Sequence, residues 1–190
     1  MTRTLKTLAS LVLLISFVAT PAYAKKLRGV DLPESTNIGG SDLVLNGAGV
    51  RTRLIIKLYV GSLYTTTKST DAAAIIAADE PMAIRLNIIS DLLTKDKMVK
   101  ALKKGFKSST GGNTAPIQPQ IDQMIGLMKD KIGTKDQYTV NYKPGSGTHV
   151  SRNGEEVGVV EGLEFKKALF GIWLSDKPAQ ASLKSGMLGK

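Results

Sequence analysis

The sequence predicts an α+β fold in which an antiparallel sheet is covered on one face by helices. Three observations lead there. Period-2 runs of β-branched and aromatic residues come in blocks before and after a block of helices, rather than alternating with them. Asn153-Gly154 between two such runs is a strong signal for a two-residue hairpin, which joins its strands antiparallel. Met98, Val99, Leu102 and Phe106 draw one apolar stripe along residues 94–108, as in a helix with a single buried face.

In chain order, residues 25–41 carry Gly29, Pro33, Gly39 and Gly40 and read as an N-terminal arm with a short strand at Val30–Leu32. Asp42–Asn46 reads as a strand ended by a turn at Asn46-Gly47-Ala48-Gly49. Val50–Thr66 reads as one long half-buried strand bent at Gly61. Leu54, Ile56, Leu58, Val60 and Tyr64 share one of its faces; Arg51, Arg53, Lys57 and Tyr59 share the other. Asp71 opens a short helix that ends before Pro81, and Met82–Leu92 resumes an alternating strand. Thr94 caps the helix 94–108, whose Lys95, Lys97, Lys100, Lys103, Lys104 and Lys107 cover much of its surface.

The segment 109–115 is a linker. Pro116 and Pro119 then start a second amphipathic helix with Ile121, Met124, Ile125, Met128 and Ile132 as its stripe, closed by Gly133. Strands follow at Gln137–Lys143, Thr148–Arg152 and Glu155–Val160. A helix at Phe165–Leu174 and a terminal helical turn within Ala179–Leu188 complete the chain.

Residues 1–24 read as a signal peptide separate from a single domain at 25–190. Arg3 and Lys6 precede the apolar run Leu8–Ala19, and Ala22-Tyr23-Ala24 suits a signal peptidase. That run of about twelve residues is short of the ~20 that a spanning helix needs. Cleavage after Ala24 would place the domain in the periplasm or outside the cell. Loss of Arg3 and Lys6 lowers the formal charge from +10 to +8. Export makes nucleic acid an unsuitable partner for that charge. The lysine-rich helix at 95–107 offers peripheral contact with an anionic surface.

With no cysteine and one histidine, the chain lacks disulfides, thiolate metal sites, a cysteine nucleophile and any two-histidine metal site. No metal or cofactor is expected. His149 has no acidic neighbour in sequence and reads as a surface or edge residue. Glu155 and Glu156 fall on opposite faces of a strand and cannot act together as glycosidase carboxylates do. Gly47-Ala48-Gly49-Val50-Arg51-Thr52 has Thr52 where a dinucleotide loop needs its last glycine. Pro144-Gly145-Ser146-Gly147 lacks the residues of a P-loop. Arg51 and Tyr59 are the remaining pair: a guanidinium and a phenol on one strand face, suited to a carboxylate or enolate head group.

Three segments resemble the chalcone isomerase superfamily, in its bacterial exported branch. They are Gly47-Ala48-Gly49-Val50-Arg51 with the strand running to Tyr64, Arg85–Asp91, and Ala168–Pro178 followed by Ser182-Leu183-Lys184. The resemblance spans about residues 30–189. It implies an open-faced β-sandwich whose large sheet and helical layer enclose a cleft. In the plant enzymes the arginine after the glycines stabilises negative charge during ring closure of a chalcone. In fatty-acid-binding relatives it holds a carboxylate together with a tyrosine.

The resemblance therefore gives Arg51 a ligand role, with Tyr59 and Ser182 at neighbouring positions. The tyrosine and asparagine of the plant enzymes' helix fall at Met98 and Gly105 here. The expected ligand is a small amphiphile with an acidic head, of fatty-acid type. The helices at 94–108 and 117–132 would cover its tail. The alternatives are an isomerase or intramolecular lyase with Arg51 as its catalytic residue, and a non-catalytic envelope interaction protein.

Overall fold

The computed structural model describes residues 24–128 and 131–190. The signal peptide read over 1–24 lies outside the described residues except for Ala24, the first residue of β1 (Ala24–Leu27). That strand pairs with β2 (Val30–Pro33) as a separate hairpin. The main sheet is an antiparallel meander of seven strands in chain order: β3 (Ser35–Ile38), β4 (Ser41–Arg53), β5 (Ile56–Thr65), β6 (Met82–Ile88), β7 (Gln137–Lys143), β8 (Gly147–Arg152) and β9 (Glu155–Val160). The helices are α1 (Ala72–Ala77), α2 (Lys95–Ser109), α3 (Gln118–Gly126), α4 (Leu163–Leu174) and α5 (Ala181–Met187), with a 3-10 turn at Ala115–Ile117. The α+β reading holds.

Both faces of the sheet are covered where β4 and β5 run. Tyr59, Leu63, Ile84, Leu86 and Ile88 point to the helices and join one core with Met98, Leu102, Phe106 and the apolar side of α4. Val60, Tyr64 and Ala83 point the other way and pack with Leu32, Ile38, Leu43 and Leu45 from the N-terminal strands. Helix α2 starts where expected, because the Thr94 hydroxyl accepts from the Lys97 amide at 3.4 Å. Met98, Leu102 and Phe106, spaced four apart, are its buried residues. Phe106 meets Phe165 of α4 with ring centroids 5.6 Å apart.

Three sequence expectations change. The glycines 47–49 form no turn: β4 runs through them, with a bulge at Asn46. Val50–Thr66 is not one strand, because the chain reverses at Leu54-Ile55 and divides between β4 and β5. The helix expected to run on to Ile132 ends at Gly126. Met128 and Ile132 are buried nonetheless, so loop residues extend the apolar period past the helix end.

Candidate functional site

The reversal at Leu54-Ile55 makes the site. Arg51 and Tyr59, eight residues apart, would lie about 26 Å from each other along a single strand. The hairpin, with a bulge at Leu58, instead sets them directly opposite across β4 and β5, on the same face of the sheet. Tyr59 is buried, and its phenol accepts a hydrogen bond from the Trp173 indole Nε1–H of α4 at 3.0 Å. Burial pushes the phenol pKa up, against the smaller opposing effects of the Trp173 bond and the Arg51 charge. Tyr59 is thus a neutral O–H at physiological pH, facing the helix side.

Arg51 is half-buried, and its partner is a side chain that the sequence did not single out. Arg51 Nη1 donates to Gln180 Oε1 at 3.0 Å, and the Thr52 backbone N–H donates to the same oxygen at 2.8 Å. Nη1 also reaches the Thr52 carbonyl at 3.3 Å. The Gln180 amide NH2 donates to the Val50 carbonyl at 3.3 Å and to Ser182 Oγ at 2.6 Å. Two donors, one of them cationic, thus converge on one uncharged oxygen. Nη2 and Nε of Arg51 make no hydrogen bond among the described residues. The neighbouring packing over Gly61 is apolar and buried: a Cβ built there would touch Leu183, the Tyr59 ring and Leu86 at 3.3–3.7 Å.

The glycines before Arg51 bring α5 against the sheet. A Cβ on Gly186 would lie 2.6 Å from the Ala48 carbonyl oxygen, and one on Gly49 3.1 Å from that of Leu183. One on Gly47 would run into the Gly186 carbonyl. Backbone therefore packs on backbone, which side chains at these positions would prevent. At the bulge the Asn46 side chain ties the same helix down, donating to the Met187 carbonyl at 2.9 Å and to the Ser69 carbonyl at 3.0 Å. The close approach expected at the glycines is real, but what approaches is α5, which carries Gln180 at its N-cap.

A family model described as chalcone isomerase-like matches residues 24–189. The chain belongs to the chalcone isomerase-like family. Among solved structures it is similar to a fatty-acid binding protein of Arabidopsis thaliana, at 17% identity and a TM-score of 0.67. That alignment covers 84% of this chain and 92% of the other. The likeness establishes the chalcone isomerase-like fold. No curated protein matches the chain.

Met98 and Gly105, the positions singled out on α2 from the resemblance, both serve packing. Met98 is buried in the core. Gly105 presses on α4 so closely that a Cβ there would come within 2.6 Å of Ile172 Cγ2. Ser182 is exposed and touches the site through Gln180. Helix α3 does not join it: its Gln123 holds the Val159 carbonyl at 2.8 Å on β9, at the far edge of the sheet from Arg51. His149 has an acidic partner after all, because the β8–β9 hairpin brings Glu156 Oε2 to 2.7 Å from Nδ1, while Ser146 Oγ lies 2.8 Å from Nε2. Ser146 and Glu156 are exposed, and the chain of contacts ties the β7–β8 turn to β9.

Among the described residues no cluster of three or more acidic or histidine side chains could hold a metal ion, and no helix is long and apolar enough to cross a membrane. An open pocket of about 190 Å³ at the opposite end of β5, lined by Thr65, Ser69, Ala78 and Pro81 among others, includes none of the site residues. Sequence reasoning missed Thr52, Trp173 and Gln180. Trp173 lies within Ala168–Pro178, one of the segments of family resemblance; Gln180, between Pro178 and the last helix, gave no signal.

Proposed function

We propose that the chain binds the carboxylate of an amphiphile of fatty-acid type at the start of α5, as an exported protein of the periplasm or cell exterior. The observation that carries this reading is the convergence of Arg51 Nη1 and the Thr52 N–H on Gln180 Oε1. An amide oxygen there is a neutral stand-in for a carboxylate oxygen. A carboxylate would accept the same two bonds more strongly and neutralise the half-buried guanidinium. The free Nη2 and Nε offer it further donors, and Tyr59 supplies a neutral hydroxyl beside them. The apolar group formed by Leu183, Tyr59 and Leu86 is closed and buried in this structure, and would part to take the first part of a hydrocarbon tail. The ligand class is further supported by the fatty-acid binding neighbour of the same fold.

Binding displaces the Gln180 side chain, so the two partners respond in opposite directions. In a fluorescent fatty-acid displacement assay, Arg51→Ala should weaken binding roughly ten- to a hundredfold, the cost of a charged hydrogen bond. Gln180→Ala should leave affinity unchanged or raise it. Equal affinity of wild type and Arg51→Ala would overturn the reading. Turnover of a chalcone panel that disappears in Arg51→Ala would favour the isomerase alternative instead.

A further inference from the structure

The tip of the β4–β5 hairpin goes against the usual turn chemistry. Its two-residue connection is Leu54-Ile55, where Asn-Gly or Asp-Gly is the common choice. Leu54 takes the left-handed backbone conformation, φ +54°, that bulky residues avoid. Both side chains stand almost wholly in solvent, 90% and 91% exposed. A third exposed apolar residue, Leu92 at 53%, lies in the loop that leaves β6 at the same end of the sheet, beside the Tyr59–Ile88 pair. Among the described residues nothing packs on the tip.

The charge on the hairpin itself has one sign. From Leu43 to Thr70 the chain carries no acidic residue, while Arg51, Arg53 and Lys57 flank the tip. Lys97 is exposed near Leu92 and donates to its carbonyl at 2.8 Å. The acidic groups of the adjoining loop and helix are Asp91, which accepts from the Thr134 amide and hydroxyl at 3.1 and 3.0 Å, and Asp96 in the first turn of α2. A convex tip of two side chains cannot supply the ~1,200 Å² that a stable protein interface buries. It can enter a lipid headgroup layer, which needs no complementary shape.

We propose that Leu54 and Ile55 insert into an anionic lipid surface, with Arg53 and Lys57 pairing with the lipid phosphates. Arg51 lies three residues from Leu54, within about 10 Å along the strand. Docking would therefore bring the guanidinium to headgroup depth, where amphiphile carboxylates reside. The inference stands on the tip and goes beyond the ligand reading, since vesicle binding requires no fatty acid.

The test is co-sedimentation with vesicles of phosphatidylcholine and phosphatidylglycerol, against phosphatidylcholine alone, using the protein in the form its cells yield. The double substitution Leu54→Gly with Ile55→Asn puts glycine at the one tip position of positive φ, so it keeps or raises stability and a misfolded variant does not confound the result. It should lower affinity for the anionic vesicles about tenfold or more. Arg53→Glu with Lys57→Glu should do the same, while Lys100→Glu, Lys103→Glu and Lys104→Glu on α2 together should have the smaller effect. Undiminished binding of the Gly-Asn variant would overturn the proposal. So would a change in oligomeric state of that variant by size exclusion when the wild type shows no preference for anionic vesicles.

Discussion

Two cations lie close to the sheet, and the protein treats them differently. Lys166 of α4 is fully buried, and its Nζ donates to the carbonyls of Ile75, Ile76 and Ala78 at 3.0, 2.9 and 2.7 Å. Those three acceptors use up its three donors and close the C-terminal end of α1. The rings of Tyr142 and Phe170 stand 5.4 and 5.3 Å from the same nitrogen. Burial lowers its pKa to about 8, with the Asp79 charge pulling the other way. Among the described residues Arg51, half-buried, bonds through one nitrogen only and shares its acceptor with a backbone amide. A saturated cation belongs to the architecture; an unsaturated one facing a neutral, displaceable oxygen is available to a ligand.

Substitutions can break that contrast, and the largest effect belongs to Lys166. Lys166→Met should strand three carbonyls and cost about 3 kcal/mol or more in urea unfolding, whereas Arg51→Ala should cost less than about 1 kcal/mol. Similar costs for the two would remove the distinction. Next comes Gly47→Ala, whose methyl meets the Gly186 carbonyl and comes within 2.8 Å of the Gly189 nitrogen and the Met187 oxygen. A loss of about 1–3 kcal/mol is expected, with faster amide exchange concentrated in α5, because backbone atoms cannot step aside as a flexible side chain can.

The smallest effect is at Asp136, another saturated group. Burial pushes its carboxyl up, but hydrogen bonds from the Asn153 side chain, the Gly133 amide and Arg152 outweigh that and hold it below the usual carboxylate range. A folded pKa below the unfolded one gives stability that is present above the unfolded value and lost as pH falls through the folded one. Asp136→Asn should flatten that acid limb in a thermal melt series and cost about 1 kcal/mol near neutrality. An unchanged acid limb would argue that these bonds do not favour the charged form.

What the sequence revealed depended on whether local chemistry agreed with the fold. The Asn153-Gly154 hairpin and the Thr94 cap lie where they were expected, since turn and cap residues act through their own backbone. The β4–β5 hairpin was hidden because Leu54-Ile55 continues the apolar alternation straight through the reversal. Gly47-Ala48-Gly49 read as a turn because a sequence shows a glycine's freedom but not the helix that needs the space; that helix arrives from residues more than 130 positions away. Arg51 and Tyr59 were legible as a pair, but strand parity was not what joined them: with Arg53 opposite Ile56 the reversal alone would set Arg51 opposite Leu58, and the bulge at Leu58 returns Tyr59 to the face of Arg51. Gln180 was not legible, since its role exists only once α5 lies on β4. For Lys166 and Lys167, adjacent in sequence, only the packing of α1 decides that Lys166 is the one buried.

The most direct test of the account is a fatty-acid titration followed by amide NMR. If a carboxylate replaces the Gln180 oxygen, the Thr52 backbone amide and the Gln180 side-chain amide must shift together with bound fraction, and the Thr52 shift must vanish in Arg51→Ala. Saturable binding that leaves both signals in place, and instead moves Thr65 and Ser69 beside the pocket at the other end of β5, would contradict it.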